Sequence, residues 1–202
     1  MQVSKLTIVS LVAFVLAGCT TLKAVPDPQL TDRERRLIAQ VPDHPLDPIF
    51  ERYEVVDPTG EAPGTIVVDT KQHFLYFVLP NNRAIRYGVA TGADDQAWTG
   101  TSVVARKAKW PHWMPPASMV ARWPELRPTA EEGGLKGGPD NPLGARALYL
   151  YQDGRDTLYR IHGTNEPETI GSEASSGCIR MRNIDAIDLY ERVALGAKVI
   201  VR

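Results

Sequence analysis

His162 and Cys178 stand 16 residues apart, with Gly163, Gly171 and Gly177 in the interval. An imidazole titrates near neutral pH and shuttles protons well, and a thiolate is a strong nucleophile. A thiol with the ordinary pKa of about 8.5 is mostly protonated at pH 7, so it needs a neighbouring base to react. Glycines in the connecting chain let it fold back and bring the pair within hydrogen-bond reach. Taken singly, each residue has a plainer reading: a buried structural cysteine, or a histidine that satisfies its own polarity beside a strand. Zinc uses the same two residue types, but the sequence has no Cys-x-x-Cys pair and no second clustered histidine.

For the pair to meet, the chain must supply a scaffold. Residues 157–161 read as a strand that runs directly into His162, and residues 148–151 as its hairpin partner across an Asp153-Gly154 turn. Upstream, residues 65–69, 74–79 and 85–91 are rich in β-branched and aromatic side chains, with Asn81-Asn82 marking a turn, and predict an antiparallel meander. Residues 110–144 carry Trp110, Trp113, Trp123 and glycines at 133, 134, 137, 138 and 144, which suits a lid or binding loop. Asn183 is placed to cap a helix over 184–193 that Gly196 closes, before a last strand at 199–201. Prolines punctuate residues 20–62, which read as a linker holding one short helix at 32–40 with Thr31 as its N-cap.

The stretch His162-Gly163-Thr164-Asn165, followed by Ser175-Ser176-Gly177-Cys178-Ile179-Arg180-Met181, resembles the signature of the L,D-transpeptidase catalytic domain, the YkuD-like family. The tryptophan-bearing segment and Gly137-Gly138-Pro139-Asp140-Asn141-Pro142-Leu143-Gly144 resemble it as well. The resemblance implies a mainly β fold, a YkuD-like mixed β-sandwich with one or two short helices, over residues 63–202. It also implies a peptidoglycan enzyme that needs no cofactor. Such an enzyme cleaves the bond between the L-centre of a diamino acid and the terminal D-alanine of a tetrapeptide stem, then passes the acyl group to an amine. Cys178 is then the nucleophile and His162 the base, with backbone N–H groups around Gly177 and Cys178 as oxyanion donors. Arg180 is the nearby cation for thiolate, oxyanion or stem carboxylate, with a structural ion pair as the alternative. Many members carry histidine where this chain has Ser176, whose neutral hydroxyl shapes the turn but cannot accept the proton. The group that orients His162 is not legible in the sequence. A stem peptide, a wall-attached protein, a free D-amino acid or water are all open as acceptor. A rival of another class is a wall-binding lipoprotein that keeps the fold without turnover.

The first residues belong to a different problem. Lys5 precedes an apolar run over 6–16, and Leu16-Ala17-Gly18-Cys19 resembles the lipobox of bacterial lipoproteins. Residues 1–18 are thus expected to be an export signal, with Cys19 lipidated and the protein held in the cell envelope. Thr20 in place of aspartate favours the outer membrane of a Gram-negative cell. Once Cys19 is assigned to the anchor, Cys178 has no disulfide partner, so in an oxidising compartment it is either buried and inert or kept for chemistry. Near-equal charge, 23 Lys+Arg against 24 Asp+Glu, argues against a nucleic-acid partner. With 43% hydrophobic residues, 16 Gly and 16 Pro, the composition fits one turn-rich globular unit.

Overall fold

A computed structural model describes residues 22–93 and 98–202; the expected export signal at 1–18 and Cys19 lie outside the described residues. In chain order the elements are β1 (Lys23–Ala24), α1 (Asp32–Ile38), β2 (Tyr53–Val56), β3 (Ile66–Asp69), β4 (Phe74–Leu79), β5 (Arg83–Gly88) and β6 (Gly100–Lys109). They continue with α2 (Ala117–Arg122), α3 (Arg127–Glu131), β7 (Arg146–Gln152), β8 (Arg155–His162), β9 (Ile179–Arg180), α4 (Asn183–Arg192) and β10 (Lys198–Val201). The protein is mainly β, as expected, with more short helices than the one or two foreseen.

The strands form one ladder in the order β1-β2-β5-β4-β3-β10-β6-β7-β8-β9. The expected meander is present: β3, β4 and β5 pair antiparallel, with Val67 opposite Tyr76 and Tyr76 opposite Arg86. The β7–β8 hairpin turns on Asp153 and Gly154, both at positive φ, which a tight hairpin turn requires. Just past β5, Ala90 bridges Arg180, so the far edge of the sheet curls back onto its first half. Inside that curl lies the main core, where Ile66, Leu75, Tyr87, Val104, Leu150, Ile161 and Met181 are fully buried against Leu189 of α4.

Two expectations need correction. The stretch read as a linker is built into the sheet: β1 pairs β2, and β2 pairs β5, from Tyr53 opposite Arg86 to Val56 opposite Arg83. Prolines there set turns between short elements, and α1 is fixed by the Thr31–Glu34 capping box and by an ion pair from Glu34 to buried Arg146. Residues 110–144, expected as a lid or binding loop, hold α2 and α3 and a bridge between Trp113 and Leu135. Finally, Asn183 does not cap α4; it is the first helical residue, and its side chain points elsewhere.

Candidate active site

Strand pairing sets the geometry. β8 and β9 run parallel, with Ile161 opposite Ile179 and His162 opposite Arg180. One residue back in that register, Cys178 lies opposite Arg160. Alternate residues of a strand share a face, so His162 and Cys178 emerge on the same side of neighbouring strands, their Cα atoms about 7–8 Å apart diagonally. Both line one cavity of about 700 Å³. Across it sit His112, Trp113, Met114, Pro116 and Met119 from the tryptophan-bearing segment, and Arg106, Tyr149 and Arg160 form its floor.

Backbone ladders on one side and side chains on the other hold the cysteine loop. Gly171 N–H donates to Val89, Thr91 N–H to Ser172 and Ser175 N–H to Thr91, so the chain after β5 forms a rail for the loop. Ser175, which the sequence did not single out, fastens it: its hydroxyl donates to the Cys178 carbonyl at 2.5 Å and accepts from Gly177 N–H at 3.1 Å. Gly177 has φ of +115°, a conformation that side chains strongly disfavour. Two expectations change as a result. The Gly177 N–H is already engaged, so it is not an open oxyanion donor. The hydroxyl that shapes the turn is that of buried Ser175, whereas Ser176 is exposed on the cavity wall.

His162 is 4% exposed, and its Nδ1 lies 2.5 Å from the Gly163 carbonyl. A carbonyl only accepts, so this contact puts the proton on Nδ1 and leaves Nε2 as the basic atom. Gly163 in turn cannot bear a side chain, because a Cβ there would meet Asn183 Oδ1 at 2.2 Å. Asn183 is the second residue the sequence misassigned: its Oδ1 accepts from Ala145 N–H and its Nδ2 donates to the Thr164 carbonyl, both at 2.8 Å. It clamps the entry to β7 against the exit from β8, and so fixes the carbonyl that orients His162. An asparagine before a helical pattern is a fair cap signal, so only the packing distinguishes these roles. Asn141 acts similarly on the opposite wall, donating to the carbonyls of Pro111, Leu135 and Lys136 at 2.9–3.1 Å and gathering the tryptophan-bearing segment.

Burial dominates the electrostatics. It lowers the His162 pKa to about 4, opposed by the Gly163 carbonyl and reinforced by Arg180 and Arg160. Burial also pushes the Cys178 thiol up, opposed by hydrogen bonding to the Arg160 backbone and by the Arg160 and Arg180 charges. At pH 7 the pair therefore rests as neutral thiol and neutral imidazole. Arg180 is paired with Glu166 at 2.5 Å, so the structural alternative named for it is realised while it still lines the cavity.

The chain matches a known domain. The family model for the L,D-transpeptidase catalytic domain, YkuD, covers residues 63–201. The chain belongs to the L,D-transpeptidase catalytic domain family. Among similar proteins, YqjB of Bacillus subtilis, which bears an L,D-transpeptidase name, is 34% identical over 159 residues, 76% of this chain and 81% of that one. YbiS of Escherichia coli, a probable L,D-transpeptidase by name, is 35% identical over 150 residues, 72% of this chain but only 46% of that longer one. A solved structure from Brucella melitensis, named as a probable carnitine operon oxidoreductase, is 47% identical and covers 78% of this chain and 96% of that one, with a TM-score of 0.53.

Proposed function

We propose that this L,D-transpeptidase domain acts on the tetrapeptide stems of peptidoglycan through a thioester at Cys178. The observation that carries this reading is the placement of Cys178 and His162 on one face of adjacent parallel strands, opening into one cavity. Attack begins as His162 Nε2 takes the thiol proton while Sγ bonds to the carbonyl carbon at the L-centre. The resulting oxyanion is met by the Cys178 N–H, which donates to no backbone carbonyl of the loop among the described residues. Collapse breaks the C–N bond, and the departing amine of the D-residue takes the proton from His162. An acceptor amine then attacks the thioester, giving a proton to His162, and the thiolate leaves and is reprotonated. The energy of the broken amide is kept in the thioester, so no nucleotide is required. Since both groups rest neutral, proton transfer accompanies attack and no thiolate is held in waiting.

In this proposal an amine is the acceptor, from a second stem or a wall-attached protein, and Cys19 is the lipidated terminus that keeps the domain in the envelope. The test is incubation of the protein with an acylating β-lactam and, separately, with a tetrapeptide and an amine acceptor. A covalent adduct on Cys178 by mass spectrometry, with D-alanine released in step with new amide, is the expected result. Release of D-alanine without amide would make it a carboxypeptidase, and no adduct with either reagent would make it a wall-binding protein. Cys178→Ala should lower turnover by about 10⁴-fold or more, with the fold retained.

A further inference from the structure

Three strands and the nucleophile's loop set four side chains in a row. Arg106 of β6 is the direct partner of Tyr149 in β7, and Tyr149 is the direct partner of Arg160 in β8. Arg160 in turn lies opposite Cys178, and all four line the same cavity. The Tyr149 ring is sandwiched in this row, with the Arg106 guanidinium carbon 3.3 Å from the ring centroid and that of Arg160 4.4 Å from it.

The three cavity arginines differ in what they hold. Arg160 takes both carboxylate oxygens of Asp156, at 2.7 and 2.8 Å, and Arg180 takes Glu166. Arg106 is exposed and has neither an ion pair nor a side-chain hydrogen bond among the described residues. Stacking occupies the face of its guanidinium and leaves the planar fork of N–H donors free at the edge, already oriented. An oriented, uncommitted fork on the wall of a reaction cavity is suited to bidentate capture of a carboxylate.

Resting on the transpeptidase reading above, we propose that Arg106 is the receptor for a carboxylate on the donor peptide. It is the one borne on the side chain of the diamino acid whose L-centre is attacked. The spacing supports this choice. Strands lie about 4.8 Å apart, so Arg106 is about 14 Å along the row from Cys178, Cα to Cα. The terminal carboxylate of the leaving residue stays within one residue, about 3.8 Å, of the scissile carbonyl. A diamino dicarboxylic side chain, with bonds of about 1.5 Å, carries its carboxylate roughly 7 Å away, and an extended arginine covers the remainder. Lysine in that stem position has no such group, so Arg106 makes the domain selective for stems built on a diamino dicarboxylic acid.

The experiment uses four donor tetrapeptides: the diamino dicarboxylate, its side-chain amide, the lysine analogue and the C-terminal amide. Steady-state kinetics on the wild type and on Arg106→Gln and Arg106→Lys run beside titration calorimetry on the same chains carrying Cys178→Ala, so that binding is read without turnover. The wild type should favour the dicarboxylate over its side-chain amide and over lysine by roughly tenfold, through KM and not kcat. Arg106→Gln should erase that preference, and Arg106→Lys should keep part of it. The proposal is overturned if Arg106→Gln keeps the preference, weakens all donors equally, or alters discrimination at the C-terminal amide instead. Differential binding without any turnover would sink the transpeptidase reading and leave the carboxylate site standing. Turnover with no difference among the donors would do the reverse.

Discussion

Two clusters of charge in this molecule obey opposite rules. Behind α4, Arg52 is fully buried and meets Asp185 and Asp27 at 2.8 Å; Asp188 takes Tyr87 and Arg192; Arg182 is shared between Asp185 and Glu51. Around the cavity the charges are sparser, and one guanidinium rests on an aromatic ring with no hydrogen-bond partner for its donors among the described residues. Paired charge in the interior fixes one arrangement of the chain, here the docking of the N-terminal strands on α4, with Arg52 Nε the one buried donor of that guanidinium left without a hydrogen bond among the described residues. Unsaturated charge on an open wall is available to a ligand. Desolvated ions without partners are costly, so the first cluster should respond to mutation in stability and the second in kinetics.

The contrast is tested most severely by exchanging the readouts. His162→Ala should reduce acyl transfer by about 10²–10⁴-fold with little change in melting temperature. A large loss of stability in step with activity would erase the distinction. On the other side, Arg52→Met leaves Asp185 and Asp27 without their shared cation and should cost about 3–5 kcal/mol in urea unfolding, with kcat of the folded fraction unchanged. A kcat that falls with stability would mean that the N-terminal strands belong to the site.

The pH dependence sharpens the comparison within the cavity itself. With a folded pKa of about 4, His162 is a competent base well below neutrality, so kcat/KM for thioester formation should hold from pH 8 to 5 and fall only toward pH 4. An acid limb at 6.5 would instead indicate a hydrated histidine. Stability carries the same signature. The unfolded chain takes up the His162 proton near 6.5 and the folded one near 4, so stability on this account is level above 6.5 and falls as pH drops to 4. The loss between pH 6.5 and 4 amounts to about 3 kcal/mol, a penalty on protonating the buried ring and not a gain at neutral pH, and His162→Gln should remove that slope.

Asn183 stands between the two rules, buried like the first cluster but aimed at the second. Asn183→Ala strands a backbone donor and a carbonyl, which should cost about 1–3 kcal/mol and lower kcat more than it raises KM. The smallest effect separates neighbours: Ser175→Ala should slow thioester formation roughly tenfold, and Ser176→Ala by less than about threefold. Equal effects would show that the exposed hydroxyl acts on the reaction.

Sequence reading reached as far as each signal is local. Ile66–Asp69 and Phe74–Leu79 are continuous β-formers, and their meander was visible. The ten-residue β6 was not, because only Ser102 and Val104 along it are buried, and Lys107 extends past the core to the Tyr190 and Val193 carbonyls. The two-residue β1 offers no periodicity at all. At the site, Cys178 and His162 announced themselves by type and motif. Ser175 and Asn183 could not, because a hydrogen bond to a distant backbone leaves no spacing to read. Arg106 enters the cavity only through the register of three strands.

β10 gives the fold an order in time. It joins β3 in parallel on one side and β6 antiparallel on the other, so the last strand in sequence is the seam between β1–β5 and β6–β9. During vectorial synthesis both halves precede the strand that unites them, and non-local pairing of this kind is slow. The rail at residues 89–92 and the cysteine loop face each other from opposite halves. The nucleophile's surroundings are therefore assembled late, after the seam is sewn, and a chain released before β10 would carry Cys178 as an ordinary thiol.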